Sequence, residues 1–588
     1  MKTKTLVLLL SLLLSSCIKD VLDRRPLDRI PDEEVWMSAP LIDLYLVSLY
    51  DNIPIGHARN GSVFESNLTD EASHPYAGVT IVNNYGNQSL TLNTTMYEWI
   101  RRANVFLEKI GTSVLSDEQK KVVTSECRFI RAYYYFDLVK KYGGMPLILA
   151  AQSLDDPEGL FVPRNTEEEV YEFLLSELDA ATVDLPESWD ANNANRATKA
   201  AAQALKARAM LYAGSIAKFG TVQLNGLLGI PSEKADDYFN EAYKAAKYIK
   251  ETGRFSLFDD LYDPVTQSGN PAANFEAIFL QKNNQEVIFQ KAYSADKLHS
   301  YDTYNLPDGF KPGCCGNAQA PLLAMAESYE YVDGTEGKLD YEGKEFDSPD
   351  ELFAGKDPRF AATIMRSETP FIGRNVQIYR GIYDTDGTLY QTRNAPFEKD
   401  PGTLQVGRDG PYTLGDVGKT GFYLKKYLDP AGGIVPESRS TQNYIDFRYA
   451  EILLTLAEAS FEAGIDLAES LDAINLVRNR AGMPALTPSE LTRERIRNER
   501  KVELAFEDKR FWDIKRYRIG TDIFRNTYVS GLWPYLKYTG TGYKYIFKKV
   551  TGAPLDNGQP RVFQERDYYS NLAGYIASNR QIVNNPGW

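Results

Sequence analysis

Apolar positions recur every three to four residues over long stretches of this chain, the mark of helices that bury one face. One such run opens at a capping box, Ser116-x-x-Gln119, passes through Val122, Cys127, Ile130 and Tyr134, and stops at Gly143-Gly144. A second opens at Thr166-x-x-Glu169 and ends before Pro186. Between 196 and 215, Ala204, Leu205, Arg208, Leu211 and Tyr212 fall at helical spacing, and the many alanines allow close helix–helix approach. A further helix is predicted from about Ser232 to Glu251. These elements come as successive pairs joined by short turns, in the manner of tetratricopeptide hairpins, although no strict 34-residue repeat is visible. Such a stack usually serves as a scaffold.

From about 255 to 440 the periodicity fades. Gly, Pro, Asp, Asn and Tyr become frequent, and short strand-like runs appear at 286–290 and 422–424. This stretch reads as a loop-rich insertion with small sheets, where binding function concentrates. Helical patterning returns near 446. DFRYAEILLTLAEASFEAG runs to Gly464 and AINLVRNRAGMP to Gly482. Thr487-Pro488-Ser489-Glu490 looks like an N-cap with Pro at N1, leading into one long helix that ends near 518. The tail from 521 holds a hairpin, with Tyr535, Tyr538, Tyr543 and Tyr545 flanking Gly540-Thr541-Gly542.

The first residues follow a different logic. Lys2 and Lys4 precede an apolar stretch from Leu6 to Leu14, which reads as an export signal too short to span a bilayer. It ends in Leu14-Ser15-Ser16-Cys17, which resembles the bacterial lipobox. Cys17 would then be acylated, and more than one acyl chain gives a stable anchor. A plain signal with an incidental cysteine is the alternative. Organisation is therefore expected as a signal over 1–16, a tether over 17–30, a helical region over 31–254, the loop-rich region over 255–440, C-terminal helices over 441–520 and a tail over 521–588. Cys127 reads as a small buried hydrophobe. The adjacent Cys314 and Cys315 are either a vicinal disulfide or two free thiols, and no other Cys or His lies near enough in sequence to suggest a metal site.

Composition narrows the function classes. The 588 residues carry 80 acidic and 66 basic side chains, a net charge of −14, which disfavours a nucleic-acid partner. The basic stretch 493–518 also carries six acidic residues, with Trp512 and Tyr517 interleaved, and reads as a salt-bridged structural helix. Only three histidines occur, His57, His74 and His299, without an HExxH pattern or a GxSxG partner, so the usual metalloprotease and serine-hydrolase signatures are absent. Close carboxylate pairs such as Asp70-Glu71 carry little weight among so many acids. No cofactor or metal is expected. Tyr, at 38, outnumbers Phe, at 27, so much of the aromatic surface has one apolar and one wet edge.

Several segments together resemble the SusD-like (RagB/SusD) nutrient-binding lipoproteins of Bacteroidetes: RFIRAYYYFDLVKKYGGMPL (128–147), VPRNTEEEVYEFLLSELDAATVDLP (162–186), RATKAAAQALKARAMLY (196–212), DFRYAEILLTLAEA (446–459), NLVRNRAGMP (475–484) and IRNERKVELAFEDKRFWDIKRYR (496–518). Ser125-Glu126-Cys127 departs from the usual Gly-Glu before Arg-Phe, and the central region matches loosely. The resemblance implies a mainly α fold with a tetratricopeptide-like scaffold. It also implies a non-enzymatic protein, lipid-anchored at the cell surface, that binds oligosaccharide or peptide and acts as the lid of a SusC-like TonB-dependent transporter. A glycan face needs flat aromatic platforms beside planar polar groups. Two stretches occupy the places where the family builds that face. Asn67–Gln88 offers Asp70, Tyr76, Asn84 and Tyr85; Tyr293–Gln319 offers Tyr301, Tyr304, Asn305 and Asp308. Each tyrosine could equally pack its own loop.

Overall fold

The computed structural model describes residues 32–58, 61–75, 95–153, 155–311, 313, 315–412 and 417–588. The expected leader, the tether, Cys17, Tyr76, Asn84, Tyr85 and Cys314 all lie outside these residues, and with Cys314 the vicinal-disulfide reading does too.

The scaffold is the predicted one. Its principal helices are α1 (Ala39–Asp51), α2 (Met96–Lys109), α3 (Asp117–Tyr142), α4 (Glu167–Asp184), α5 (Lys199–Phe219) and α6 (Ala235–Glu251). They continue as α7 (Tyr449–Ala463), α8 (Leu467–Arg480), α9 (Arg493–Glu503) and α10 (Arg510–Arg516). Both capping boxes form: the Gln119 and Glu169 amides donate to Ser116 Oγ and Thr166 Oγ1, and the side chains of Gln119 and Glu169 accept from the two cap amides. From α3 to α8 each helix packs on the next, and the stack passes directly from α6 to α7. Everything between Glu251 and Tyr449 is therefore an insertion into a continuous helical stack.

Small side chains make this stack tight. Eight alanines of α5 are buried, and a Cβ on Gly214 would meet the Phe239 ring of α6 at 2.8 Å. Arg208 of α5 is buried with paired bonds to Glu451 of α7 at 2.8 and 2.9 Å and an ion pair to Asp446 at 3.0 Å. A buried guanidinium is tolerated only when so matched.

The insertion builds a second apolar core around Phe275, Met325, Phe360, Met365 and Tyr423. Its strands are short. They include β1 (Ala72–Ser73), β2 (Val287–Lys291), β3 (Ala320–Pro321), β4 (Ile382–Tyr383), β5 (Leu389–Tyr390), β6 (Tyr444–Arg448), β7 (Ser530–Tyr538) and β8 (Tyr543–Thr551). β7 and β8 are the predicted hairpin, paired from Ser530↔Thr551 to Tyr538↔Tyr543. β4 joins β7 in parallel, giving the sheet order β5-β4-β7-β8.

Three local expectations fail, each for a tertiary reason. Asp446-Phe447-Arg448 belongs to β6, paired with β2, and α7 begins only at Tyr449. The Thr487–Glu490 motif caps a turn; the true N-cap of α9 is Thr492, which accepts from the Arg495 amide. The single long helix to 518 is two, because Phe506 and Asp508 take positive φ of 60° and 57° and break it between α9 and α10.

The salt-bridged helix reading is corrected at the same place. The partners of Glu503 are not neighbours one turn away. They are Arg359 at 2.8 Å, Arg448 at 2.6 Å and Arg480, all buried. Glu286 accepts from Arg448 and Arg480, and Glu507 from Arg448. This hub clamps β2, β6, α8 and the α9 end to the insertion. Burial would raise the Glu503 carboxyl, but Arg480, Arg448 and Arg359 hold it well below the usual range.

Candidate functional site

The two stretches singled out in the sequence meet. β1 pairs antiparallel with β3, setting Ala72 opposite Pro321 and Ser73 opposite Ala320. Before β1, the Ser66 hydroxyl donates to Gln319 Oε1 at 2.8 Å and Asn67 Nδ2 to the Ala318 carbonyl at 2.8 Å. Just past β3, the Leu322 amide donates to the Glu71 carbonyl at 2.9 Å. Residues some 250 apart in sequence are thus stitched into one rim.

Within that rim the predicted residues divide. Asp70 ties the loop to the scaffold through Lys501 at 2.7 Å and two bonds from Arg510 at 2.8 and 2.9 Å. Burial opposes its charge, but Arg510 and Lys501 hold its carboxyl well below the usual range. Beside it, burial pushes Glu71 up to about 7, even though Glu71 accepts the Phe506 amide. Tyr301 is buried, its hydroxyl on the Lys426 carbonyl at 3.1 Å. Asn305 is buried between the Tyr301 carbonyl and Gln319 Nε2. These three side chains support the rim from behind. Tyr304 is half-buried on its front, and Asp308 takes Lys311 at 2.6 Å together with Arg393.

A third stretch, not singled out from the sequence, completes the rim. Arg374 pairs with Asp409 and lies over the Phe310 ring at 3.8 Å, fixing residues 374–409 against the 308–310 turn. Arg380 lies 5.7 Å from the centre of the Tyr412 ring and 5.6 Å from that of Trp533. Its Nε is buried without a hydrogen-bond partner among the described residues. Arg393 reaches Tyr412 at 5.3 Å. Lys419 joins the parts: its Nζ donates to the Pro75 carbonyl at 2.5 Å, and its own carbonyl accepts the Trp533 indole at 2.8 Å. Trp533 and Tyr412 are half-buried. The only sequence signal for this cluster was Trp533, beside the tyrosines of the predicted hairpin. Nothing local links Arg380 and Arg393 to it, because the parallel pairing of β4 with β7 brings them there.

The histidines sit elsewhere in roles of packing. His57 lies 4.7 Å from His299 between ring centres, among Tyr293, Tyr301, Tyr427 and Tyr444. Burial lowers all three: His57 falls well below the usual value, and His299 and His74 come down to about 4. Each is therefore neutral at pH 7. Among the described residues, no cluster of three or more His, Cys, Asp or Glu could hold a metal ion. Cys127 is buried in α3, as its helical setting suggested.

A helical-hairpin stack thus carries a long insertion, with aromatic and guanidinium groups gathered on a loop rim. The SusD family model matches residues 285–588, and a second model, described as starch-binding associating with outer membrane, matches 20–211. The chain belongs to the SusD family. SusD-like protein P2 of Formosa agariphila is 26% identical over 84% of this chain and 79% of its own length. A SusD-like protein from Bacteroides fragilis superposes with a TM-score of 0.71 at 25% identity, over 96% of this chain and all of that one. A SusD-like carbohydrate binding protein from the same species gives 0.67 at 23% identity, over 93% of this chain and all of that one.

Proposed function

We propose that this protein captures a saccharide on the loop rim at the outer-membrane surface and delivers it, unaltered, to a SusC-like TonB-dependent transporter. The observation that carries the reading is the pair of half-buried rings, Tyr412 and Trp533, set about the buried Arg380 guanidinium, with Arg393 linking Tyr412 to Asp308. Sugar rings present C–H faces to aromatic planes and hydroxyls to planar polar groups, which is the chemistry this cluster offers. A fold neighbour from Bacteroides fragilis, named as a SusD-like carbohydrate binding protein, supports the same class of ligand.

In this reading Tyr304, Asp308, Tyr412, Trp533 and Arg393 face the ligand, and Arg380, Asp70, Tyr301 and Asn305 hold the rim in place. Tyr76, Asn84 and Tyr85 are proposed as further ligand contacts on the family resemblance alone, since they lie outside the described residues. Cys17 carries the lipid, and the helical stack offers the surface that docks on the transporter. Capture needs no bond to break, so no catalytic residue is assigned.

Calorimetric titration against a panel of oligosaccharides and peptides tests this. Binding of at least one glycan is expected, with a loss of tenfold or more in affinity for Tyr412→Ala with Trp533→Ala. Chromatography of the incubated glycan should show no new reducing ends. Released sugar would make the protein a hydrolase, and binding confined to peptides would replace the ligand class. Co-purification with a TonB-dependent transporter tests the partner.

A further inference from the structure

A cavity of about 500 Å³ lies away from the loop rim. It lies where the end of α5 meets the C-terminal segment, walled by Phe219, Arg518, Arg566, Tyr568, Tyr569 and Asn585. Arg518 stacks over both tyrosine rings, at 4.6 Å from Tyr568 and 4.8 Å from Tyr569. Among the described residues its hydrogen bond goes to a phenol, Tyr569 Oη at 2.6 Å, rather than to a carboxylate. That phenol in turn donates to Glu167 Oε2 at 2.6 Å, so Glu167 stands one group behind the wall. Arg566 lies over the Trp588 ring at 4.6 Å and is partly exposed at the mouth. Across the lining, the ionised groups are two arginines against the exposed Glu565.

Behind the same wall is a smaller void of about 20 Å³ that shares Arg518, Tyr568 and Tyr569. Three buried polar atoms on its lining residues, Lys515 Nζ, Glu167 Oε1 and Tyr171 Oη, have no hydrogen-bond partner among the described residues. A void of that size has room for about one water, which needs such polar neighbours. Burial brings Lys515 down to about 7. The interior side is thus polar, and the outer side combines aromatic walls with two guanidinium groups, Arg566 paired with Asp567 at 3.8 Å and Arg518 backed by Glu167 through the Tyr569 phenol.

We propose that this cavity is a second binding site, separate from the loop rim, for a sugar unit bearing a carboxylate or sulfate. The anionic group meets Arg518 and Arg566, and the ring lies against Tyr568 and Phe219. Planar guanidinium recognises planar carboxylate and tetrahedral sulfate through paired N–H donors. The volume admits a saccharide unit.

The test uses the purified full chain and three probes, D-glucuronate, D-glucose and inorganic sulfate, followed by saturation-transfer NMR and calorimetry. Glucuronate should bind with a Kd in the millimolar range or tighter, with glucose and free sulfate each at least tenfold weaker. Arg566→Ala, at the solvent-exposed mouth, should weaken glucuronate threefold or more, and Arg518→Met tenfold or more. If Arg518→Met fails to fold, the Arg566→Ala result decides. Trp533→Ala, on the loop rim, should leave glucuronate binding here unchanged, which separates this site from the proposed capture face. Glucose binding as well as glucuronate would overturn the proposal. So would sulfate binding as tightly as glucuronate, indifference to both arginine variants, or loss of binding on Trp533→Ala.

Discussion

Asp70→Asn isolates the tie between the loop rim and the helical scaffold. In the wild type, Asp70 accepts one bond from Lys501 and two from Arg510, with its side chain 15% exposed. Asparagine keeps the shape but removes the charge, leaving a lysine and an arginine facing a neutral amide. Breaking a buried ion pair by removing one partner costs about 3–5 kcal/mol, and the residual exposure of Asp70 places it near the lower end, about 3 kcal/mol. Urea unfolding at pH 7 on both proteins reads that difference in the first transition. The pH dependence supplies a second check. Asp70 is held ionised in the folded state below its ordinary value, so its contribution is fully present above about pH 4 and is lost as the pH falls further. The Asp70 charge also helps to raise Glu71, so the gap is read in a Glu71→Gln background, where it should stay constant from pH 7 to 5. A change under about 1 kcal/mol at pH 7, or a gap that closes between pH 7 and 5, would refute the tie. An intact stability with a selective loss of glycan affinity would instead make Asp70 a ligand contact.

Other outcomes follow from equally local features. His299 loses its proton in the folded state down to about pH 4 but takes one near 6.5 when unfolded, so its contribution falls as the pH drops through that window. Replacing it by Gln should flatten the slope of stability against pH by up to about 1.4 kcal/mol per unit between 6.5 and 4, read from urea titrations. Gly464 ends α7 at φ 64° with open space around its Cβ position, so Gly464→Ala should cost about 1 kcal/mol by conformation alone, measured as a shift in thermal midpoint. Burial raises the Cys127 thiol and hides it completely, so iodoacetamide should leave it unmodified in the folded protein and label it in 6 M guanidinium, read by mass spectrometry.

The helical stack was legible because its signals are local. Periodicity marks the buried face of each helix, Ser116 and Thr166 mark the starts, and Gly464 and Gly482 mark the ends; all of these depend on residues within one or two turns. The hairpin at 540 was legible for the same reason; the stretches at 67–88 and 293–319 were set on one face by the family resemblance, and of their described residues Asn67 and Ala318 meet. What the sequence could not supply is which loop residues stand in front and which stand behind. Tyr301 and Tyr304 share a composition and a five-residue helix, yet one is buried and the other half-buried, because only the first turns toward His57 and Tyr427.

Long-range charge pairing decided the rest. Glu503 has helical neighbours of opposite charge within one turn, and a local reading pairs it with them. The fold instead points it at Arg359, Arg448 and Arg480, since an ionised group taken out of water must be matched by whatever cations the topology delivers. The same holds for Arg380, Tyr412 and Trp533, which no spacing relates. By itself the sequence determined the scaffold and the stretches that make the rim. Only the tertiary structure chose which side chains reach its surface, because that choice rests on contacts between residues up to several hundred positions apart.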